Sequence, residues 1–259
     1  MLRTVAATRY VTPLREGGSL PAVVEADDEG LYVMKFRGAG QGRKALIAEI
    51  VAGELARELQ LPIPEIVLVE LDADMARTEP DPEIQHLIRA SAGLNLALDY
   101  LPGSVNYDPL VDRPDPELAS RIVWFDAFVA NVDRTARNTN MLLWHRRLNL
   151  IDHGAALYFH HDWANAANAA SGRFAPIKDH VLLPLASEIA RIDADMAGRI
   201  APELVDSIVR LLPESWLADE PGFADAEQHR RAYADYLNRR VQSPRAFVEE
   251  AIHARSLQL

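Results

Sequence analysis

The stretch Asn131-Val132-Asp133-Arg134-Thr135-Ala136-Arg137-Asn138, followed by a short hairpin and then Ile151-Asp152-His153-Gly154, constrains this chain more than any other. It sets down a carboxylate, an amide five residues later, and a second carboxylate just before a glycine. The hairpin between them reads as Met141-Leu142-Leu143-Trp144 and Leu148-Asn149-Leu150-Ile151. Such a set suits one plan of phosphoryl transfer, in which one Asp positions an attacking hydroxyl and an Asn and a second Asp hold metal ions on the phosphates. Each residue alone is ordinary, because Asp and Asn readily satisfy loop backbone groups. Order carries the reading, since a strand lysine, a helix glutamate and a strand-end segment precede the loop in the sequence.

Composition narrows the alternatives. With 259 residues, 49% of them hydrophobic and 25% charged, the chain can bury the core of one large domain or of two lobes. Cysteine is absent, which excludes disulfides and thiolate metal sites. The opening Met1-Leu2-Arg3-Thr4-Val5-Ala6-Ala7 has too short an apolar run for a signal peptide. No segment approaches the ~18–20 apolar residues that span a bilayer, so a cytoplasmic location away from membranes is expected. The formal charge of −11 argues against nucleic acid, whose binders present a basic face to phosphates.

The first third reads as strands and one helix. Tyr10–Leu14 and Pro21–Ala26 flank the polar turn Arg15-Glu16-Gly17-Gly18-Ser19, and Leu31–Phe36 follows a second turn, which predicts three antiparallel strands. Lys44–Gln60 has helical periodicity through Leu46, Ile47, Ile50, Val51, Leu55 and Leu59, and Pro62 and Pro64 stop it. Strands are predicted at Ile66–Leu71 and Asn95–Leu101. After Pro102-Gly103 the pattern turns helical, with helices at Glu117–Val129, Pro184–Asp195, Pro202–Leu211, Ala224–Val241 and Pro244–Ala254. The expected fold is therefore α+β, with a β-rich part over 1–102 and a helical part over 103–259.

Four stretches together carry a family resemblance: Val33-Met34-Lys35-Phe36, the helix from Ala48-Glu49-Ile50 to Ile63-Pro64, Asn131 to Asn138, and Ile151 to Gly154. On them the chain resembles the HipA-like kinases within the protein-kinase-like superfamily. The resemblance implies a two-lobed kinase fold that uses ATP and Mg2+ to phosphorylate a hydroxyl, with Ser or Thr of a protein as the leading acceptor. It makes Lys35 the lysine on the ATP α- and β-phosphates, with Glu49 as its acid partner. Asp133 becomes the catalytic base, Asn138 and Asp152 the magnesium ligands, and Arg137 a contact to the transferred phosphate. Gly17-Gly18-Ser19 takes the place of the turn that covers the phosphates, and Ser19 the place of a regulatory autophosphorylation site. Asp99-Tyr100-Leu101 becomes the hinge that offers backbone groups to adenine.

The chain departs from the usual kinase pattern in two places. Asn131-Val132 stands where His-Arg usually precedes the catalytic Asp, and His153 stands between Asp152 and Gly154 where Phe is usual. Asp133-Arg134 also begins the loop as in phosphatidylinositol kinases, so a small-molecule or lipid acceptor stays open, as does a non-catalytic nucleotide-binding protein. Gly38-Ala39-Gly40-Gln41-Gly42 precedes a helix and is a second candidate phosphate loop, but no glycine directly precedes Lys44 and Ala45 replaces the Ser or Thr of a P-loop. Arg134 reads equally well as a solvated loop residue. His145, His160, His161 and His180 lack metal-ligand spacing and read as surface or capping residues, and Trp124, Trp144 and Trp163 as core.

Overall fold

Strand pairing between residues far apart in sequence organises the first part of the chain. A computed structural model describes residues 2–14, 20–40, 42–77 and 79–258. Five strands close into a barrel: β1 (Arg3–Pro13), β2 (Ala22–Ala26), β3 (Leu31–Lys35), β4 (Ile66–Leu71) and β5 (Gly93–Asp99), in the order β1-β2-β3-β5-β4. The first three pair antiparallel, as the turn signals predict. β1 starts at Arg3 rather than Tyr10 because Arg3–Ala6 pair in parallel with Val67–Glu70 of β4. That pairing closes the barrel and leaves no strand edge open to a foreign chain. The core holds Val5, Val24, Tyr32, Met34, Phe36, Val67, Val69 and Ala97, each larger side chain contributing about 1.5–3 kcal/mol by leaving water.

The sequence reading missed one helix of this region, α2 (Pro82–Ala90). Its N-cap Asp81 accepts a hydrogen bond from the Glu83 N–H at 3.0 Å, and Pro82 opens the first turn. Ile84 and Ile88, one turn apart, bury against the barrel core. Asp-Pro followed by that spacing is a legible helix start. Gly38 sits against the end of this helix. A Cβ there would lie 2.9 Å from both Ala90 Cβ and Ser91 Oγ, while the Gly38 N–H donates to Ser91 Oγ at 3.0 Å. Close packing thus accounts for this glycine.

The chain divides into two compact units, Met1–Ile47 with Pro64–Gly103, and Ala48–Ile63 with Ser104–Leu259. The helix Gly42–Glu58, α1, passes from one to the other. Within the second unit β6 (Val105–Asn106), β7 (Met141–Trp144) and β8 (Arg147–Leu150) form a small antiparallel sheet. Helices α3 (Pro116–Phe128), α4 (Ala166–Ser171), α5 (Ile189–Gly198), α6 (Pro202–Val209), α7 (Glu214–Leu217), α8 (Ala226–Val241) and α9 (Ala246–Ser256) make up most of the rest. α5 begins later than the expected Pro184, because Leu183–Leu185 form a separate 3-10 turn.

α3 is the central helix of this unit. Every residue from Ile122 to Phe128 is buried, and Trp124 packs on Phe128 and on Phe247 of α9, both at 5.4 Å between ring centres. The buried Arg240 of α8 donates to the carbonyls of Phe128 (2.7 Å) and Ala127 (2.8 Å). A cation at a helix C-terminus satisfies carbonyls that have no intrahelical partner. The end of α3, and so the start of the loop at Ala130, is fixed from behind.

Candidate active site

The loop that follows α3 is held by a buried carboxylate. Asp126, in the last turn of α3, is fully buried and its two oxygens accept from three side chains. Asn131 Nδ2 donates to Oδ1 at 2.9 Å, and Arg134 Nε (2.6 Å) and His180 Nε2 (2.9 Å) share Oδ2. The Leu182 N–H donates to His180 Nδ1 at 3.0 Å, so the ring hydrogen sits on Nε2 and points at Asp126. Burial alone would raise the Asp126 carboxyl. The Arg134 guanidinium and the His180 hydrogen bond overturn that and hold it well below the usual carboxylate range.

Arg134 carries this anchor to both candidate metal residues. Its NH1 donates to the Asn140 carbonyl and reaches the Ile151 carbonyl at 3.4 Å. The Ile151 N–H donates to the same Asn140 carbonyl at 3.0 Å. One side chain therefore ties together the segment after Asn138 and the residue before Asp152. The expectation of a solvated Arg134 is corrected, since it is 1% exposed. His180, expected as a surface or capping residue, is buried, at 5% exposure, and its Nδ1 accepts the Leu182 N–H. His160, also buried, faces the Tyr233 hydroxyl at 3.1 Å.

Asp133 itself is half-buried. Its Oδ2 accepts from Asn138 Nδ2 at 2.7 Å and Asn140 Nδ2 at 3.2 Å, and its N–H donates to Asn131 Oδ1 at 3.1 Å. This orients Asn138 as well, since a side-chain amide that donates through Nδ2 keeps Oδ1 as its ligand atom. Ala130 (φ 53°), Asn140 (φ 47°) and Asp152 (φ 56°) all adopt the left-handed conformation. L-residues there cost roughly 1–2 kcal/mol each, and such strain gathers where surrounding structure holds a site in shape.

The other expected residues fall as follows. Arg137 is exposed on the loop. Glu49 on α1 is fully buried, with its Oε2 3.7 Å from Nδ1 of the buried His153. The Phe125 ring meets His153 edge-on at 5.9 Å. Lys35 ends β3 opposite Leu96 of β5 and is 9% exposed, an uncommon position for lysine in a merely structural strand. The Asp99 and Tyr100 N–H groups are already used within the first unit, donating to the carbonyls of Glu65 (2.8 Å) and Leu31 (2.9 Å). Gly17, Gly18 and Ser19 lie outside the described residues.

Sequence reasoning missed Asp126, Asn140 and His180. Asp126 had a signal, a lone carboxylate in the apolar run Ile122-Val123-Trp124-Phe125-Asp126-Ala127-Phe128. A charge placed there must find partners. His180 had none, because it reaches Asp126 across 54 residues of chain.

A β-barrel unit with a buried strand lysine, and a helical unit with an Asp–Asn loop, a hairpin and a second Asp, define a phosphotransferase of the protein-kinase-like fold. The pattern of the HipA-like kinase family matches residues 8–248, and the chain belongs to that family. Among solved structures it is similar to CtkA, a proinflammatory kinase of Helicobacter pylori, at 14% identity and a TM-score of 0.58 over 100% of both chains. A Golgi casein kinase is less similar, at 12% identity and a TM-score of 0.47 over 98% of this chain and 72% of that one. At these identities the likeness to CtkA speaks to the fold alone. Comparison with curated protein sequences gave no match. Among the described residues, no helix is long and apolar enough to cross a membrane.

Proposed function

We propose that this HipA-like kinase transfers the γ-phosphoryl group of ATP, with Mg2+, to Ser or Thr hydroxyls of a protein, in the cytoplasm. The observation that carries the reading is the state of Asp133. Two amide donors occupy its Oδ2, so Oδ1 is the oxygen that takes the hydroxyl proton as the new O–P bond forms and ADP leaves.

The oxygen donors Asn138 Oδ1 and the Asp152 carboxylate fit magnesium, which prefers oxygen ligands and completes its shell with water and phosphate. Among the described residues there is no cluster of three or more His, Asp or Glu side chains able to hold a metal alone. When bound, Mg2+ would neutralise charge developing on the phosphates. Asp126 and Arg134 keep Asn138 and Asp152 in register for it, while Lys35 and Arg137 contribute positive charge toward the phosphates. Asp99–Leu101 receives adenine in this reading.

The test is incubation with γ-labelled ATP and magnesium, alone and with a cell lysate, followed by mass spectrometry of labelled species. Label on Ser or Thr of proteins that disappears with Asp133→Ala is expected. Label that persists in that variant, or appears only on small molecules or lipids, would defeat the reading.

A further inference from the structure

A groove of about 430 Å³ opens in the second unit, lined in part by the tip of the β7–β8 hairpin. Its floor is apolar, with Tyr107, Leu118 and Leu148, and Arg113, Arg146 and Arg147 stand on its walls. The volume suits a few side chains of a bound segment. We propose that this groove docks an acidic peptide segment of the acceptor protein, anchored by an apolar residue and separate from the hydroxyl that is phosphorylated. The inference rests on the protein-kinase reading above and names how that acceptor is recognised.

Charge is the first support. The chain has 38 acidic against 27 basic residues, so arginines have many internal partners to choose from. Arg121, Arg191 and Arg245 of the same unit take them. Arg113, Arg146 and Arg147 make no ion pair or side-chain hydrogen bond among the described residues. Asp112 and Asp115 also line the groove, Asp115 with an oxygen committed to the Leu118 N–H at 2.9 Å as the N-cap of α3, so three arginines against two carboxylates leave the lining a formal excess of one positive charge. Arg137, Arg210 and Arg231 of the unit likewise make no ion pair among the described residues, so what favours carboxylates from outside is the gathering of three guanidinium groups on one groove.

The hairpin tip is the second support. Trp144 pairs with Arg147, leaving a two-residue turn of His145 (φ 48°) and Arg146 (φ 64°), both left-handed. Asn-Gly is the sequence that suits such a turn. His-Arg costs roughly 1–2 kcal/mol per residue there, so folding does not explain the choice of arginine.

The third support is the exposed aliphatic chain next in sequence or pairing to the groove's lining residues. Leu110 and Val111, just ahead of Asp112 and Arg113, are 88% and 76% exposed. Val105, paired with Leu143 of the groove wall, is 61% exposed. Exposed aliphatic side chains beside tyrosine and arginine describe a protein-binding face rather than one for nucleic acid.

Position links the groove to the reaction. Trp144↔Arg147 at the tip and Met141↔Leu150 at the base are the two ends of one hairpin. At about 3.3 Å per residue its length is on the order of 10 Å, which three or four extended residues of an acceptor chain cover. Docking and phosphorylation can then occur on one polypeptide, with the docked segment raising the local concentration of the hydroxyl.

Random dodecapeptides displayed on phage, selected on the wild-type protein without nucleotide and counter-selected on R113E/R146E/R147E, test this. Enriched peptides should carry Asp or Glu around a large apolar residue. The best synthetic one should bind, by fluorescence anisotropy, about tenfold or more weaker to the triple variant and more weakly in high salt. R146Q/R147Q should lose less, and both variants should keep the parent melting temperature and Mg·ATP affinity. Enrichment no greater than on the triple variant, peptides without acidic residues, or tighter binding of a poly-uridylate oligonucleotide would overturn the docking proposal. Failure of the kinase reading appears separately, as missing Mg·ATP binding by calorimetry in a protein whose peptide binding is intact.

Discussion

Lys35 and Asp133 are held in opposite ways. Lys35 sits at the end of a regular strand, in register with Leu96, within a barrel whose stability comes from Val, Met, Phe and Tyr side chains. Asp133 sits in a loop with left-handed residues on both sides, kept in shape by the buried cluster of Asp126, Asn131, Arg134 and His180. The strand position needs only the apolar pattern around it. The loop position needs a polar network whose members must all be present, because a buried polar group left alone costs more than a satisfied pair returns. Substitutions can separate chemistry from support on each side of this comparison.

The largest effects are on turnover. Asp133→Ala should lower phosphoryl transfer by about 10²–10⁴-fold, the usual contribution of a general base, with Mg·ATP affinity nearly unchanged in calorimetry. Lys35→Met should reduce transfer by about 10²–10³-fold as a lost charge-stabilising donor, and should weaken nucleotide binding as well. A Lys35→Met protein with parent affinity and rate would remove the lysine from the site.

Next comes the support of the loop. Asp126→Ala should destabilise the protein by about 3–5 kcal/mol in denaturant titration, because it strands a buried Arg134. The acid side carries the same signature. The folded-state Asp126 carboxyl lies below its unfolded value of about 4. Its stabilisation is therefore complete above about pH 4 and is lost as pH falls below that toward the folded value. Asp126→Asn should flatten this part of the acid-unfolding curve. An unchanged curve would mean that the cluster does not hold the loop through charge.

Smaller effects sharpen the comparison. Gly38→Ala forces a Cβ to 2.9 Å from Ala90 and Ser91 and should cost about 1–3 kcal/mol by overpacking, with ATP affinity kept. A selective loss of Mg·ATP binding at unchanged stability would restore the glycine segment as a phosphate loop. Ala130→Gly relieves a left-handed residue at the entry to the loop. Set against the extra chain entropy of glycine, it should stabilise by about 0.5 kcal/mol, read as a small rise in melting temperature.

The sequence by itself determined the chemical inventory and the local elements. The spacing of Asp133, Asn138 and Asp152, the strand around Lys35, the α1 and α3 helices and the β7–β8 hairpin were all legible, because periodicity and turn chemistry act over a few residues. The HipA-like family followed from those same stretches. Tertiary structure alone decided the rest. The parallel pairing of Arg3–Ala6 with Val67–Glu70 closes the barrel, and nothing local in Arg3–Ala6 shows which distant strand it meets. Read locally, Arg134 is a loop residue open to solvent and His180 a surface or capping residue; Asp126 buries both. Whether a charged side chain is exposed or buried depends on which distant residues surround it, and such long-range contacts are set by packing of the whole unit rather than by the preferences of a short window.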